Sequence, residues 1–205
     1  MTTDTDIAEL ISARICHDLV SPIGALGNGV ELLELGTGKS NPEMELLRES
    51  ITLVNARLRV FRLAFGLPYD DHLVPAAEFA ALLPQVGTNA RISHHLSAPD
   101  MIPQAQVQAV ALVLMCLETA LPFGGTVEIA AREHQSDASS HIRWQINAKS
   151  DRLQWDNSRW LPLLHGDPPE VSARDVQFAL LPGALKRLHR TLDFERGEDW
   201  VRLAF

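Results

Sequence analysis

The sequence predicts an α+β chain: a long antiparallel helical hairpin followed by a layered α/β unit. Three observations predict it. Apolar residues recur at steps of three and four through the first third of the 205-residue chain, which marks helical faces. After the break Gly66-Leu67-Pro68-Tyr69-Asp70-Asp71 several short runs alternate with period two instead, which marks strands. Helical and strand-like runs then interleave, the pattern of a two-layer sandwich. On this division residues 1–67 form the hairpin and residues 73–205 the α/β unit.

The first helix carries Ile7, Ile11, Ile15, Leu19, Ile23, Leu26, Val30 and Leu33 on one face. Asp6 followed by Glu9 reads as a capping box at its start, and the glycines of Gly36-Thr37-Gly38-Lys39-Ser40 supply its end. Asn41-Pro42 opens the second helix with a cap and a proline at the first helical position. Its seam is Met44, Leu47, Ile51, Val54, Leu58, Phe61 and Phe65, a heptad-type spacing. A short turn between two helices of similar length makes them antiparallel neighbours. Leu46, Leu53 and Val60 lie off this seam, more apolar surface than one hairpin covers. Two hairpins joined as a four-helix bundle would cover it, so a homodimer is expected; the alternative is that the hairpin packs on the rest of its own chain.

In the second part residues 75–83 read as a short helix and residues 91–96 as an edge strand. Residues 104–121 form a longer apolar helix, ended by Pro122-Phe123-Gly124-Gly125. Val127, Ile129 and Ala131 share one face of a strand, and Ile142, Trp144, Ile146 and Ala148 one face of the next, so the two make a hairpin. Residues 174–190 read as a helix. A last hairpin turns at Arg196-Gly197-Glu198-Asp199.

Composition narrows the function. Apolar residues make up 46% and charged residues 21%, as in ordinary soluble domains. A net charge of -8 repels phosphate backbones, and the one local basic group is Arg57, Arg59 and Arg62, so no nucleic-acid partner is expected. Cys16 and Cys116 stand in no CxxC pair, which argues against a metal centre or a disulfide framework. The start Met1-Thr2-Thr3-Asp4 lacks the basic and apolar regions of a secretory signal, and no apolar run is long enough to span a bilayer. A cytoplasmic protein without membrane contact is the expectation.

The chemistry points to His17. On a helical wheel it lies about 180° from the Ile15/Leu19/Leu26 stripe, facing solvent. Ala13, Ser21, Gly24 and Asn28 share its face and are small, a low-relief strip that another protein can approach closely. Pro22 sits inside the helix and removes the donor to the Asp18 carbonyl, and such local violations tend to mark functional sites. An ordinary solvated surface histidine is the competing reading. Counting back across the turn, His17 faces roughly residue 60 of the second helix, where Arg57, Arg59 and Arg62 could offset the charge of a phosphoryl group; a solvated basic face near a helix C-terminus is the alternative.

Ile15-Cys16-His17-Asp18-Leu19-Val20-Ser21-Pro22 resembles the H-box of dimeric two-component histidine kinases and phosphotransferases. The run over residues 14–33, with Ile23-Gly24-Ala25 and Asn28-Gly29, and the helix end Arg62-Leu63-Ala64-Phe65-Gly66 extend the likeness. Over essentially its full length the chain resembles alphaproteobacterial histidine phosphotransferases of the ChpT type. That resemblance implies a dimeric four-helix bundle plus an α/β sandwich like a degenerate Bergerat-type histidine-kinase ATPase domain.

A kinase of this architecture needs a metal-binding Asn, an Asp-x-Gly-x-Gly loop and a glycine-rich lid. Cys116 stands where the Asn would fall, and a thiol is a poor magnesium ligand. Asn147-Ala148-Lys149-Ser150-Asp151-Arg152 stands where the glycine loop would be, with no glycine to admit a phosphate. The lid region, residues 171–185, has only Gly183. No ATP binding is therefore expected.

The resemblance implies a phosphorelay. His17 is the expected phosphoacceptor, exchanging phosphoryl groups with aspartates on the receiver domains of a hybrid histidine kinase and of response regulators. Asp18 is expected to orient the ring or act as its base. Ala13, Arg14, Ser21, Gly24, Asn28, Arg57 and Arg59 are candidate partner contacts, with Cys16 packing at the bundle edge. No cofactor is expected in this chain; magnesium would come with the receiver. The α/β unit would add docking surface. A divergent sensor kinase and a non-catalytic dimeric scaffold are the competing classes.

Overall fold

A computed structural model describes residues 4–35, 42–69, 71–87, 89–136 and 139–205. The structure is α+β, with a helical hairpin and a mixed sheet. Helix α1 (Asp4–Leu35) and helix α2 (Pro42–Phe65) pack side by side. Asp6 falls inside α1 rather than at its cap, because the helix already begins at Asp4. The turn expected at residues 36–40, the Asn41 cap and Asp70 of the break lie outside the described residues. Pro22 lies within α1 without ending it.

The remaining elements are β1 (Leu73–Pro75), α3 (Ala76–Val86), β2 (Ile92–Ser97), β3 (Met101–Pro103), α4 (Gln104–Ala120), β4 (Gly125–Ser136), β5 (Ser139–Lys149), α5 (Asn157–Leu164), a 3-10 turn (Ala173–Asp175), α6 (Val176–Arg187), β6 (Asp193–Arg196) and β7 (Trp200–Ala204). Five strands form one sheet in the order β2-β4-β5-β7-β6. Strand β2 is an edge, as its sequence suggests, and runs parallel to β4. The other neighbours are antiparallel. The prolines of β1 and β3 confine them to a separate two-stranded ribbon.

Alternation explains the sheet's two faces. Val127, Ile129, Trp144, Ile146 and Ala148 are buried while Glu128, Arg143 and Lys149 face outward. The register sets Ile129 opposite Ile146 and Val127 opposite Ala148, so both strands present one apolar face. Ala131 and Ile142, farther along the same hairpin, are only partly buried. Helix α4 is apolar all round because it packs against α2, α3 and α6 and joins the sheet in one core. Large buried side chains such as Phe79, Trp144 and Leu203 each contribute about 1.5–3 kcal/mol relative to exposure.

The hairpin does pack on its own chain at one end. Val60, Phe61 and Ala64 of α2 are buried, and α2 touches α3 and α4. Gln108 of α4 ties down the end of α2: its Nε2 donates to the carbonyls of Ala64 at 3.1 Å and Gly66 at 2.6 Å. Its Oε1 accepts from Arg187 Nη2 at 2.6 Å. These bonds satisfy helix-end carbonyls that otherwise lack partners. Farther up, α1 meets the 3-10 turn and α6, which brings the α/β layer alongside His17.

Candidate functional site

His17 projects from the face of α1 opposite Leu19 and Leu26, and its side chain is 56% exposed. Ala13, Ser21, Gly24 and Asn28 on the same face are exposed too. A Cβ added to Gly24 would meet nothing within 4 Å, so that part of the strip is open. Cys16, expected at the bundle edge, is exposed.

The next residue holds the ring. Asp18 Oδ1 lies 3.0 Å from His17 Nδ1. The Asp18 side chain is only 4% exposed, and its Oδ2 accepts from Arg14 Nε at 2.7 Å. Burial pushes the Asp18 carboxyl up. The hydrogen bonds from His17 and Arg14 and the charges of Arg14 and Arg57 outweigh it, holding the group below its ordinary value. The ionised carboxylate accepts a hydrogen bond from Nδ1–H, which favours the tautomer with its lone pair on Nε2.

Nε2 faces the α/β layer. Arg174 of the 3-10 turn places Nη2 3.3 Å from it. The cleft between hairpin and layer encloses about 530 Å³, with Arg91, Asn89 and Glu118 on the far wall. Asn89 is fixed there by its backbone N–H on Glu118 Oε1 at 2.7 Å.

Arg14 departs from the sequence-based expectation. It was expected among partner contacts, yet it is only 7% exposed. Besides Asp18, it donates to the backbone carbonyl of Arg174 and, at 3.4 Å, to Gln177 Oε1. It binds its own chain because the α/β layer covers it, which the helical wheel alone does not reveal.

Arg57, Arg59 and Arg62, grouped by the sequence near the end of α2, part company. Arg57 lies near Asp18, donates to the Gln85 carbonyl at 3.1 Å, and has its pKa lowered, chiefly by burial and against the pull of Asp18. Arg59 and Arg62 instead line a separate groove with Tyr69, His72 and Glu78. The cation that reaches His17 is Arg174, 157 residues away in sequence. No local pattern announces it.

The places of the three kinase elements have other occupants. Cys116 is wholly buried within α4, and burial pushes its thiol well up. Asn147 Oδ1 accepts from Gln145 and Arg202, and Ser150 Oγ donates to the Gly124 carbonyl at 2.8 Å. Gly124 serves the turn: its φ is 97°, and a Cβ there would lie 2.6 Å from the Arg91 carbonyl oxygen. Beside them Trp155 stacks on Trp160 at 4.3 Å, and Trp160 meets Phe178 edge-on at 5.2 Å.

Comparison with known proteins gives the chain its family. Residues 76–200 match the family described as histidine phosphotransferase C-terminal domain. The protein phosphotransferase ChpT of Brucella abortus (strain 2308) is 31% identical over 185 residues, covering 84% of this chain and 81% of that protein. A solved bacterial phosphotransferase superposes with a TM-score of 0.75 at 26% identity, over 100% of this chain and 97% of that one. A helical hairpin bearing an exposed histidine, joined to the matching C-terminal layer, thus belongs to the histidine phosphotransferase family, and the chain is a ChpT-type phosphotransferase of phosphorelay signalling.

Proposed function

We propose that His17 is the phosphoacceptor through which this chain passes phosphoryl groups between receiver-domain aspartates. The observation that carries the reading is the Nδ1 contact to Asp18 at 3.0 Å, which leaves Nε2 as the nucleophile at an open cleft. A receiver bearing a phospho-aspartate docks on the low-relief strip of Ala13, Ser21, Gly24 and Asn28. Nε2 attacks phosphorus in line. The N–P bond forms, the acyl-phosphate O–P bond breaks, and the aspartate carboxylate leaves with the electron pair. Nδ1 keeps its proton, and the positive ring is balanced by Asp18. The reverse step loads a second receiver. Such transfer needs mainly positioning and charge stabilisation.

The magnesium of the reaction comes with the receiver's acidic pocket. Among the described residues no group of three or more His, Cys, Asp or Glu is placed to hold a metal ion. The donor is a protein rather than ATP; Cys116 at the Asn position, the glycine-free 147–152 segment and the Trp155–Trp160–Phe178 packing support this.

The working form is a homodimer. Val20, Ile23, Val30 and Leu32 of α1 and Leu46, Ile51, Leu53 and Leu58 of α2 are exposed, more apolar surface than a monomeric helical hairpin normally shows water. Ile23 and Val30 lie roughly 120–140° around α1 from His17, so pairing through them leaves the histidine accessible. No helix among the described residues is long and apolar enough to cross a membrane, and the expected setting is the cytoplasm.

The test is transfer from a phosphorylated receiver domain to the wild type and to His17→Ala, with labelled ATP alone alongside. Acid-labile label on the wild type only, and none from ATP, is expected. Label taken directly from ATP would make the chain a kinase. Absence of label with several receivers would leave a scaffold.

A further inference from the structure

We propose that Arg174 is the chain's own phosphoryl-binding residue, its guanidinium holding the phosphoryl group on Nε2 of His17 between transfers. This rests on His17 as the phosphoacceptor and adds a residue from the α/β layer to that site.

Three observations carry it. Arg174 Nη2 lies 3.3 Å from the reacting nitrogen itself. Its backbone is anchored while its guanidinium, exposed, contacts the ring. The carbonyl accepts from Arg14 Nη1, and the adjacent Asp175 is held by Ser172 Oγ at 3.3 Å and Arg159 Nη1 at 3.0 Å. The Arg174 residue is exposed. The third is charge: the two carboxylates nearest it along the chain and beside the ring are held by other cations, Asp175 by Arg159 and Asp18 by Arg14.

The chemistry follows from the atoms. In the free chain a guanidinium N–H donates to the lone pair of Nε2, so the side chain must rotate aside for in-line attack; its anchored backbone need not move. Once the N–P bond has formed, the phosphoryl oxygens stand two bonds beyond Nε2, within reach of the same guanidinium. Its planar fork can take two of them. The anionic group then lies between Arg174 and the imidazolium, while Arg14 keeps Asp18 from repelling it. Arg14 thereby couples the two halves of the site, holding the orienting carboxylate and the turn that carries Arg174.

The experiment uses the full chain as wild type, Arg174→Gln and Arg174→Lys. Arg143→Gln, on the outer face of the sheet, serves as the charge control. Each is loaded with phosphoramidate and, separately, with a receiver domain phosphorylated by acetyl phosphate. The readouts are the transfer equilibrium with the receiver and the ³¹P resonance of the phosphohistidine. Arg174→Gln is expected to shift the equilibrium toward the receiver by about threefold to tenfold and to move the ³¹P resonance. Arg174→Lys should recover part of both, because it returns the charge without the fork, and Arg143→Gln should match the wild type. Phosphohistidine formed at His17 but indifferent to Arg174→Gln in both readouts overturns the proposal alone. No phosphohistidine on the wild type from either donor removes the His17 reading and this proposal with it.

Discussion

Arg14 Nε sits 2.7 Å from Asp18 Oδ2, one turn apart on α1, and the carboxylate it holds reaches His17 Nδ1 at 3.0 Å with its other oxygen. The chain thus builds a relay of fixed geometry on consecutive turns of one helix: cation, carboxylate, imidazole. Asp18→Asn keeps the shape and removes the charge. Transfer to His17 should slow on the order of tenfold to a hundredfold, the range found where a carboxylate orients a metal-binding imidazole. Single-turnover transfer from a phosphorylated receiver measures it, and an unchanged rate would remove Asp18 from the mechanism. The acid limb of stability should change as well. The Asp18 carboxyl is held below its unfolded value, so its contribution is complete above about pH 4 and is lost as pH falls through the lowered value. Thermal midpoints of Asp18→Asn should accordingly fall less than those of the wild type on acidification below about pH 4.

Arg14→Met should damage both halves of the molecule at once. It leaves the Asp18 carboxylate, 4% exposed, without its main partner, and it frees the carbonyl of Arg174 and Oε1 of Gln177. Removing one member of a buried pair costs about 3–5 kcal/mol. Denaturant titration should show that loss, and the double variant Arg14→Met/Asp18→Asn should recover part of it, because no buried charge is then left alone.

The contrast between Asp18 and Arg174 shows what is legible in a sequence. The helical faces, the edge position of β2, and the inward sets Val127/Ile129 and Trp144/Ile146/Ala148 follow from periodicity, because burial on one face imposes it. The openness of the His17 strip follows from the small residues Ala13, Ser21, Gly24 and Asn28 at one angle of the wheel. Asp18 is a chain neighbour and so is legible too. Arg174 is not, since its position depends on docking of the 3-10 turn against α1, and the same docking buries Arg14. Helix α5 is missed because Pro162 and the Trp155/Trp160 pair mask an eight-residue segment. Strands β1 and β3 are three residues each, too short for alternation to register. Arg59 and Arg62 carry the right charge at the right level of α2 but point into another groove.

A second titration lies far from acid. His94 on β2 has its pKa lowered, first by burial and further by His95, with Glu118 opposing. A histidine whose folded value is below its unfolded one favours the neutral ring. Its contribution to stability is therefore complete above about pH 6.5 and is lost as pH falls through the lowered value. His94→Gln should flatten the decline in thermal midpoint as pH falls below about 6.5, while leaving the Asp18-dependent limb in place. An identical slope in both proteins would show that His94 does not govern this window.

The apolar outer face of the hairpin gives the last prediction. Ile51 is 50% exposed and Val20 69% exposed in the single chain, yet Ile51 belongs to a seam spaced for helix–helix packing. If that seam pairs two chains, a charge at Ile51 enters a desolvated bundle core and is left unpaired there. Ile51→Glu should then convert a dimer to a monomer at micromolar concentration, seen as a halved mass in light scattering, while the α/β layer keeps its core. Lys149→Glu, on the outer sheet face, should leave the mass unchanged. A wild type that already sediments as a monomer would sink the bundle. The hairpin's apolar face would then need another partner, and His17 would act from a single chain.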